Sequence, residues 1–190
     1  MNTLSFNMLT KNMHKNEVEE FLKGKGDFIQ IDNLNRYLKL MPPIDMRKFA
    51  YLKLAEIYEK KKMFEDLVKS YRNAAMNSTI FREKIEYFVE EAKAHIRKID
   101  FIEADKAIKR AFSEATIEQK KKIVEEIRAF YKKTAKEFEK ELKRNQASKV
   151  YEKLLKMNVS DEEKQEIKEK LKELYGRLGK VREIKLLESV

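Results

Sequence analysis

Apolar and polar positions along the chain alternate in stripes with a step of three or four residues, the periodicity of one face of an α-helix. Phe49, Leu52, Leu54, Ala55 and Tyr58 predict a helix over 46–62, and Phe64, Leu67, Val68, Tyr71, Ala74 and Ala75 predict its partner beyond a short break at Lys60-Lys61-Lys62. A third stripe, Ile85, Phe88, Val89, Ala92, Ile96 and Ile99, follows N-cap chemistry at Asn77-Ser78-Thr79. A fourth runs over 101–113 with Ala104, Ala107, Ile108, Ala111 and Phe112 inward. Thr116 with Gln119 three residues later is a capping box. It opens a long helix, expected to reach about Arg144, with Ile123, Ile127, Phe130, Tyr131, Thr134, Ala135, Phe138 and Leu142 on one side. Ala147, Val150, Tyr151, Leu154 and Leu155 form its partner; Ser160 caps another helix carrying Ile167, Leu171, Leu174 and Tyr175, which stops at Gly179 before a closing segment with Val181, Ile184 and Leu187. Ahead of all this, Pro42-Pro43 ends an N-terminal hairpin whose two stripes are Val18, Phe21 and Leu22, then Phe28, Ile31, Leu34, Tyr37 and Leu38, with Gly24 and Gly26 at the turn.

The hairpins repeat. Tyr51, Ala55 and Tyr58 in one first helix correspond to Phe88, Ala92 and His95 in the next and to Tyr131, Ala135 and Phe138 in the third; each is a ring, a small residue four later, and a ring position three after that. The second helices keep an i, i+4, i+7 triplet: Leu67, Tyr71, Ala74; Ala104, Ile108, Ala111; Ala147, Tyr151, Leu154. This order resembles the tetratricopeptide (TPR) motif over about Met46 to Leu155. The resemblance implies an all-α fold of antiparallel helical hairpins stacked as a TPR-like right-handed solenoid, with Ala55, Ala92 and Ala135 at close helix contacts and Tyr58 and Phe138 plugging the gaps between hairpins. It implies one domain over 1–190, in which 1–43 is an N-terminal cap hairpin, 44–159 the repeat core and 160–190 the C-terminal capping helices. Leu67 stands where the family prefers Ala and His95 where it prefers Tyr. The repeat distances are also long: 37 residues from Leu67 to Ala104 and 43 from Ala104 to Ala147, against about 34 in the ordinary repeat. Two other arrangements fit the same stripes, a non-repeating helical bundle and a coiled coil through the long helix, although its apolar positions keep heptad spacing for only about two heptads.

Composition narrows the function classes. With four Gly, two Pro and no Cys in 190 residues, collagen-like, low-complexity and disulfide-stapled folds are excluded, as are thiol nucleophiles and thiolate metal sites. No run of about 18 apolar residues occurs, so no membrane span is expected. The start, Met1 to Leu9, has no basic stretch ahead of its apolar residues; no secretory leader and a cytoplasmic location are expected. Leu4, Phe6, Met8 and Leu9 precede the first hairpin and are expected either to cap the stack or to join two copies of the chain.

Catalytic chemistry is sparse. His14 and His95 are the two histidines; His95 lies on an apolar stripe and reads as a core residue, and Ala92 stands where a Glu-x-x-His metal pair would need its carboxylate. Gly24-Lys25-Gly26 lacks the spacing of a phosphate-binding loop. Glu90-Glu91 and Glu162-Glu163 read as solvated helix faces. No enzyme activity, cofactor or metal is expected.

Charge says more. Of the net +10, +6 lies within 116–159, while 79–115 and 160–190 are neutral. On the long helix Lys121, Arg128, Lys132, Lys136, Lys140 and Lys143 follow steps of 7, 4, 4, 4 and 3, hence one face, interrupted by Glu125 and Glu139. If first helices line a groove, as the TPR resemblance implies, Lys60, Lys93 and Arg97 join Lys132, Lys136 and Lys140 there. Leu52 and Glu56 stand where that family's clamp for acidic peptide C-termini would need Lys and Asn. The expected role is a non-enzymatic interaction scaffold whose basic face docks an acidic protein partner. The alternative is a structured RNA or ribonucleoprotein, such as the ribosome, gripped by its phosphates.

Overall fold

A computed structural model describes residues 8–188. They form ten helices, and no strand occurs among the described residues: α1 (Lys15–Leu22), α2 (Asp27–Lys39), α3 (Ile44–Lys60), α4 (Phe64–Met76), α5 (Phe81–Arg97), α6 (Phe101–Glu114), α7 (Ile117–Lys140), α8 (Arg144–Leu155), α9 (Asp161–Leu178) and α10 (Val181–Glu188). The all-α class is present, with a helix at every stripe read from the sequence. Local chemistry explains several starts. Thr116 accepts from the Gln119 amide while the Gln119 side chain accepts from the Thr116 amide, closing the capping box. Ser160 accepts from the Glu163 amide. At α5 the serine acts one step away from the expected cap: Ile80 caps the helix with its carbonyl, and the buried Ser78 hydroxyl accepts from the Ile80 amide and donates to Glu83.

Four helix ends turn on one device. The amides of Met63, Asp100, Lys143 and Lys180 each bond back to the carbonyl five residues earlier, of Tyr58, His95, Phe138 and Tyr175, at 2.8, 3.0, 2.8 and 2.9 Å. The residue before each donor, Lys62, Ile99, Leu142 or Gly179, has φ of 57°, 63°, 58° or 70°. This is the Schellman closure, in which one left-handed residue lets a helix reverse and satisfies its last carbonyls. Only the last copy uses glycine. The corners recur at intervals of 37, 43 and 37 residues, and each returns to the ring position singled out in the sequence. Tyr175 adds a fourth.

The same corner corrects the long helix: α7 ends at Lys140, and Leu142 sits beyond it, 70% exposed in the left-handed conformation, instead of on the core face. Phe28 and Val181 are likewise exposed, both in the first turn of their helices where the inward face has not yet begun, and α10 buries no residue.

The chain divides into two compact units. One takes the chain up to Ala94 together with Ala107–Ala115; the other takes His95–Lys106 together with the chain from Thr116 onward. The division passes through α5 and α6. In the first unit α3 packs on α2 and α4 over a core of Val18, Leu34, Tyr37, Phe49, Leu54 and Leu67, joined by Leu9 and Met13 from the segment before α1. Leu9 is thus a core residue of the N-terminal end; Met8 is exposed, and Leu4 and Phe6 lie outside the described residues. In the second unit α8 packs on α7 and α9, and α10 on α9, around Ile127, Tyr131, Ala135, Val150, Leu154 and Leu171. Ala55, Ala92 and Ala135 are 1%, 0% and 0% exposed. At such positions no larger side chain fits without movement.

Candidate functional site

Helix α7 is committed to the core on one side by Ile123, Ile127, Tyr131, Thr134 and Ala135, all buried. Its other side is basic, and the structure sorts the cations there into tied and untied. Lys132 is held at 2.6 Å by Glu163 of α9, and the Arg128 guanidinium reaches the Asn158 carbonyl at 3.4 Å. Lys143 falls past the helix end, paired with Glu141 at 2.7 Å and set over the Phe138 ring. Lys121, Lys136 and Lys140 are exposed, with no ion-pair or hydrogen-bond partner among the described residues. Lys136 and Lys140 border a shallow depression whose lining, Ala129, Lys132, Lys133, Lys136, Glu137 and Lys140, comes from α7 alone. Ala129 leaves the low point between the lysine stems.

The remaining cations differ. Arg97, in the second unit, lies 5.3 Å from the Phe130 ring of α7, a cation–π contact that sets its charge beside this helix. Lys93 is in the first unit, 16% exposed and bonded to Glu90 at 2.6 Å. Lys60, also in the first unit, is bonded with Lys61 to Asp27, at 3.1 and 2.8 Å, and these bonds hold the Asp27 carboxyl below its usual range. The structure therefore gathers Arg97, Lys132, Lys136 and Lys140 on or beside α7 and leaves Lys60 and Lys93 in the first unit, committed to local acids.

Beside the lysine face, α7, α8 and α9 enclose a cavity of about 90 Å³. Its floor is Tyr151, Leu154 and Ile167, all buried; Lys132, Lys136, Glu166 and Lys170 form its mouth. The Tyr151 hydroxyl donates to Glu139, which also lies 3.7 Å from Lys170. Burial first, then that bond, pushes the Tyr151 hydroxyl well above its ordinary 10.0; Tyr175, buried and donating to Glu152, moves the same way.

One polar feature escaped the sequence reading. Glu91, expected on a solvated face, is 0% exposed. Its Oε1 receives Arg72 of α4 at 2.6 Å and Arg110 of α6 at 2.7 Å, so one carboxylate joins three helices of the first unit. A buried carboxylate is tolerable only with such partners. The signal was its place three residues after Phe88 and four before His95, on the inward stripe, with arginines in the neighbouring helices. Glu163, the second of the other acidic pair, is also drawn in, by Lys132.

His95 is buried, its Nδ1 3.6 Å from Asp100, while His14 is exposed at the start of α1, its amide donating to Glu17; the two belong to different units. Among the described residues no group of three or more metal-ligating side chains converges, and no helix is long and apolar enough to cross a membrane. Comparisons with protein-family models, with curated proteins and with solved structures found no match.

Proposed function

We propose that the protein is a non-enzymatic interaction scaffold, built of TPR-like hairpins stacked as a right-handed solenoid, whose α7 face docks an acidic macromolecular partner. The carrying observation is the set Lys121, Lys136 and Lys140: three cations without a partner among the described residues, on a helix whose opposite face is core. Of the other cations at issue, Lys60, Lys93, Lys132 and Lys143 are each paired with a carboxylate. Unpaired like charges kept 4 residues apart repel one another by a few tenths of a kcal/mol per pair; a partner's carboxylates or phosphates reverse the sign of that interaction. The repeated corner and the rings it returns to, Tyr58, His95, Phe138 and Tyr175, support the repeat reading.

The test is capture from cell lysate by the full chain, with and without nuclease, against Lys121→Glu/Lys136→Glu/Lys140→Glu. Lys132 is left intact because reversing it would set a second carboxylate against Glu163. Capture resistant to nuclease and lost on reversal, with helicity by circular dichroism unchanged, is the expected outcome. Nuclease-sensitive capture whose affinity falls linearly with log salt assigns the face to RNA. Capture that survives reversal at low salt removes the face from binding altogether.

A further inference from the structure

A groove of about 550 Å³ runs over α3 between α2 and α4, wholly inside the first unit. Its floor is the face of α3 that carries Tyr51, Leu54 and Tyr58 at steps of three and four residues, a length of about 10 Å at 1.5 Å per residue. Asn35 and Lys39, one turn apart on α2, stand in one wall; Lys69 and Asn73, one turn apart on α4, stand in the other with Asp66 and Ser70. Most of these polar side chains have nothing to bond to in the fold. Lys69 lies 3.5 Å from Asp66, but the Asn35 and Asn73 carboxamides, the Lys39 ammonium and the hydroxyls of Tyr51, Tyr58 and Ser70 make no hydrogen bond or ion pair among the described residues. For the exposed Asn35 and Lys39 water is an ordinary partner. Ser70 and Tyr58 are different: they are 3% and 7% exposed, and hydroxyls at such depth are as a rule bonded within the protein. Neither oxygen is sealed in the interior, as those of Tyr131 and Thr134 are, and both residues line the groove.

We infer that this groove is a binding site for a small polyhydroxylated anion, a sugar bearing one phosphate or carboxylate group. The lining selects that chemistry by what it offers and what it withholds. Hydroxyls and carboxamides both donate and accept, as the hydroxyls of a sugar do, and they stand on the floor and on both walls. Lys39 is the one cation of the lining left without a carboxylate, which suits a single acidic group. A cationic ligand finds no counter-ion, because Asp66, the only carboxylate of the lining, already faces Lys69. A flat aromatic or aliphatic ligand finds little to cover, since Leu54 is 2% exposed and Tyr58 7%. The volume falls within the roughly 300–1,000 Å³ of small-molecule sites. The groove shares no residue with the α7 face, and neither reading depends on the other.

The experiment titrates the full chain with glucose-6-phosphate, glucuronate, glucose and inorganic phosphate by calorimetry, and follows the side-chain amide resonances of Asn35 and Asn73 by NMR. At least one of the two sugar acids should bind and shift both sets of amide signals, and which one does so identifies the acid as phosphate or carboxylate. Asn35→Ala and Asn73→Ala should each weaken that binding about tenfold, through lost hydrogen bonds. Lys39→Met should bring the acid down to the level of glucose, and Lys121→Glu/Lys136→Glu/Lys140→Glu should leave it untouched, with helicity by circular dichroism unchanged in every variant. Failure of both acids to bind overturns the site. So does inorganic phosphate binding as tightly as the sugar phosphate, glucose binding as tightly as its acids, or binding that survives Asn35→Ala/Asn73→Ala.

Discussion

Leu142 and Gly179 hold the same left-handed conformation at equivalent corners, φ 58° and 70°. An L-residue there costs about 1 kcal/mol or more, and glycine's larger unfolded freedom returns roughly half of what replacing it would gain. Since the Leu142 side chain is exposed and contributes little burial, Leu142→Gly should raise stability by about 0.5 kcal/mol in a urea titration. Gly179→Ala should lower it by about 1 kcal/mol, through the backbone alone, because a Cβ at Gly179 meets nothing within 4 Å. At Glu91 the prediction is larger. Glu91→Gln leaves Arg72 and Arg110 without their common anion, and because both arginines are partly solvated, at 44% and 35%, the cost should be about 2 kcal/mol, below that of a fully buried pair. Glu86→Gln, from an exposed pair with Arg82, should stay within about 0.5 kcal/mol. Caps were legible at this scale because a cap is a local event: Thr116 meets Gln119 three residues away. Glu91 was not, since the groups that make its burial possible stand 19 residues to either side.

Helix α7 has 24 residues where α3 and α5 each have 17. The excess is a heptad, two turns that rotate the helix faces by only about 20°, so the longer element keeps its inward stripe and its corner. That is why the repeat distance rises to 43 without loss of the pattern, and it adds about 10 Å of helix at the rate of 1.5 Å per residue. The small residues of the stripe give the element-scale test: Ala55→Leu or Ala135→Leu should cost about 1–3 kcal/mol by overpacking, seen as a lower Tm with unchanged helicity. A Tm that does not move would place these alanines outside the close contacts. Three repeats were legible because each keeps ring, alanine and ring. The fourth hairpin was not assigned to the series. Lys168 and Lys172 stand where Tyr131 and Ala135 do, and only Tyr175 and the glycine corner survive. Backbone geometry repeats there after the side-chain pattern has faded.

For the whole chain, the two units differ in what pH does to them. Tyr131, Tyr151 and Tyr175 belong to the second unit, and burial, the largest cause in each, holds all three hydroxyls well above 10.0. Unfolded tyrosines ionise near 10 while the folded ones keep their protons, so the contribution is complete below pH 10 and lost as pH rises beyond it. Tyr37 and Tyr87 of the first unit are raised less far. Amide exchange should therefore show α7 to α9 loosening first above pH 10, and Tyr151→Phe should flatten that loss. Acid acts at Glu83 of the first unit, held low first by its bond from Lys48 and then by Ser78. Its contribution is present above pH 4.5 and disappears as pH falls below, which Glu83→Gln should abolish in an acid titration. Of the candidate site, the location of the basic face was legible from charge counting along one helix. Which lysines are uncommitted was not, because Lys132 finds its acid on α9, 31 residues away.

The division of the chain through α5 and α6 has a consequence for synthesis. A polypeptide leaves the ribosome from its N-terminus at about 5–20 residues per second, but the first unit is not contiguous: it needs Ala107–Ala115 after the chain has already passed through His95–Lys106. No moment of elongation before Ala115 emerges offers that unit complete. Glu91 lacks its Arg110 bond until that residue, 19 positions later, arrives, an interval of roughly one to four seconds at those rates. The nascent first unit waits, one guanidinium short of its Glu91 cluster, for a strip of helix that belongs to it in space and comes late in time.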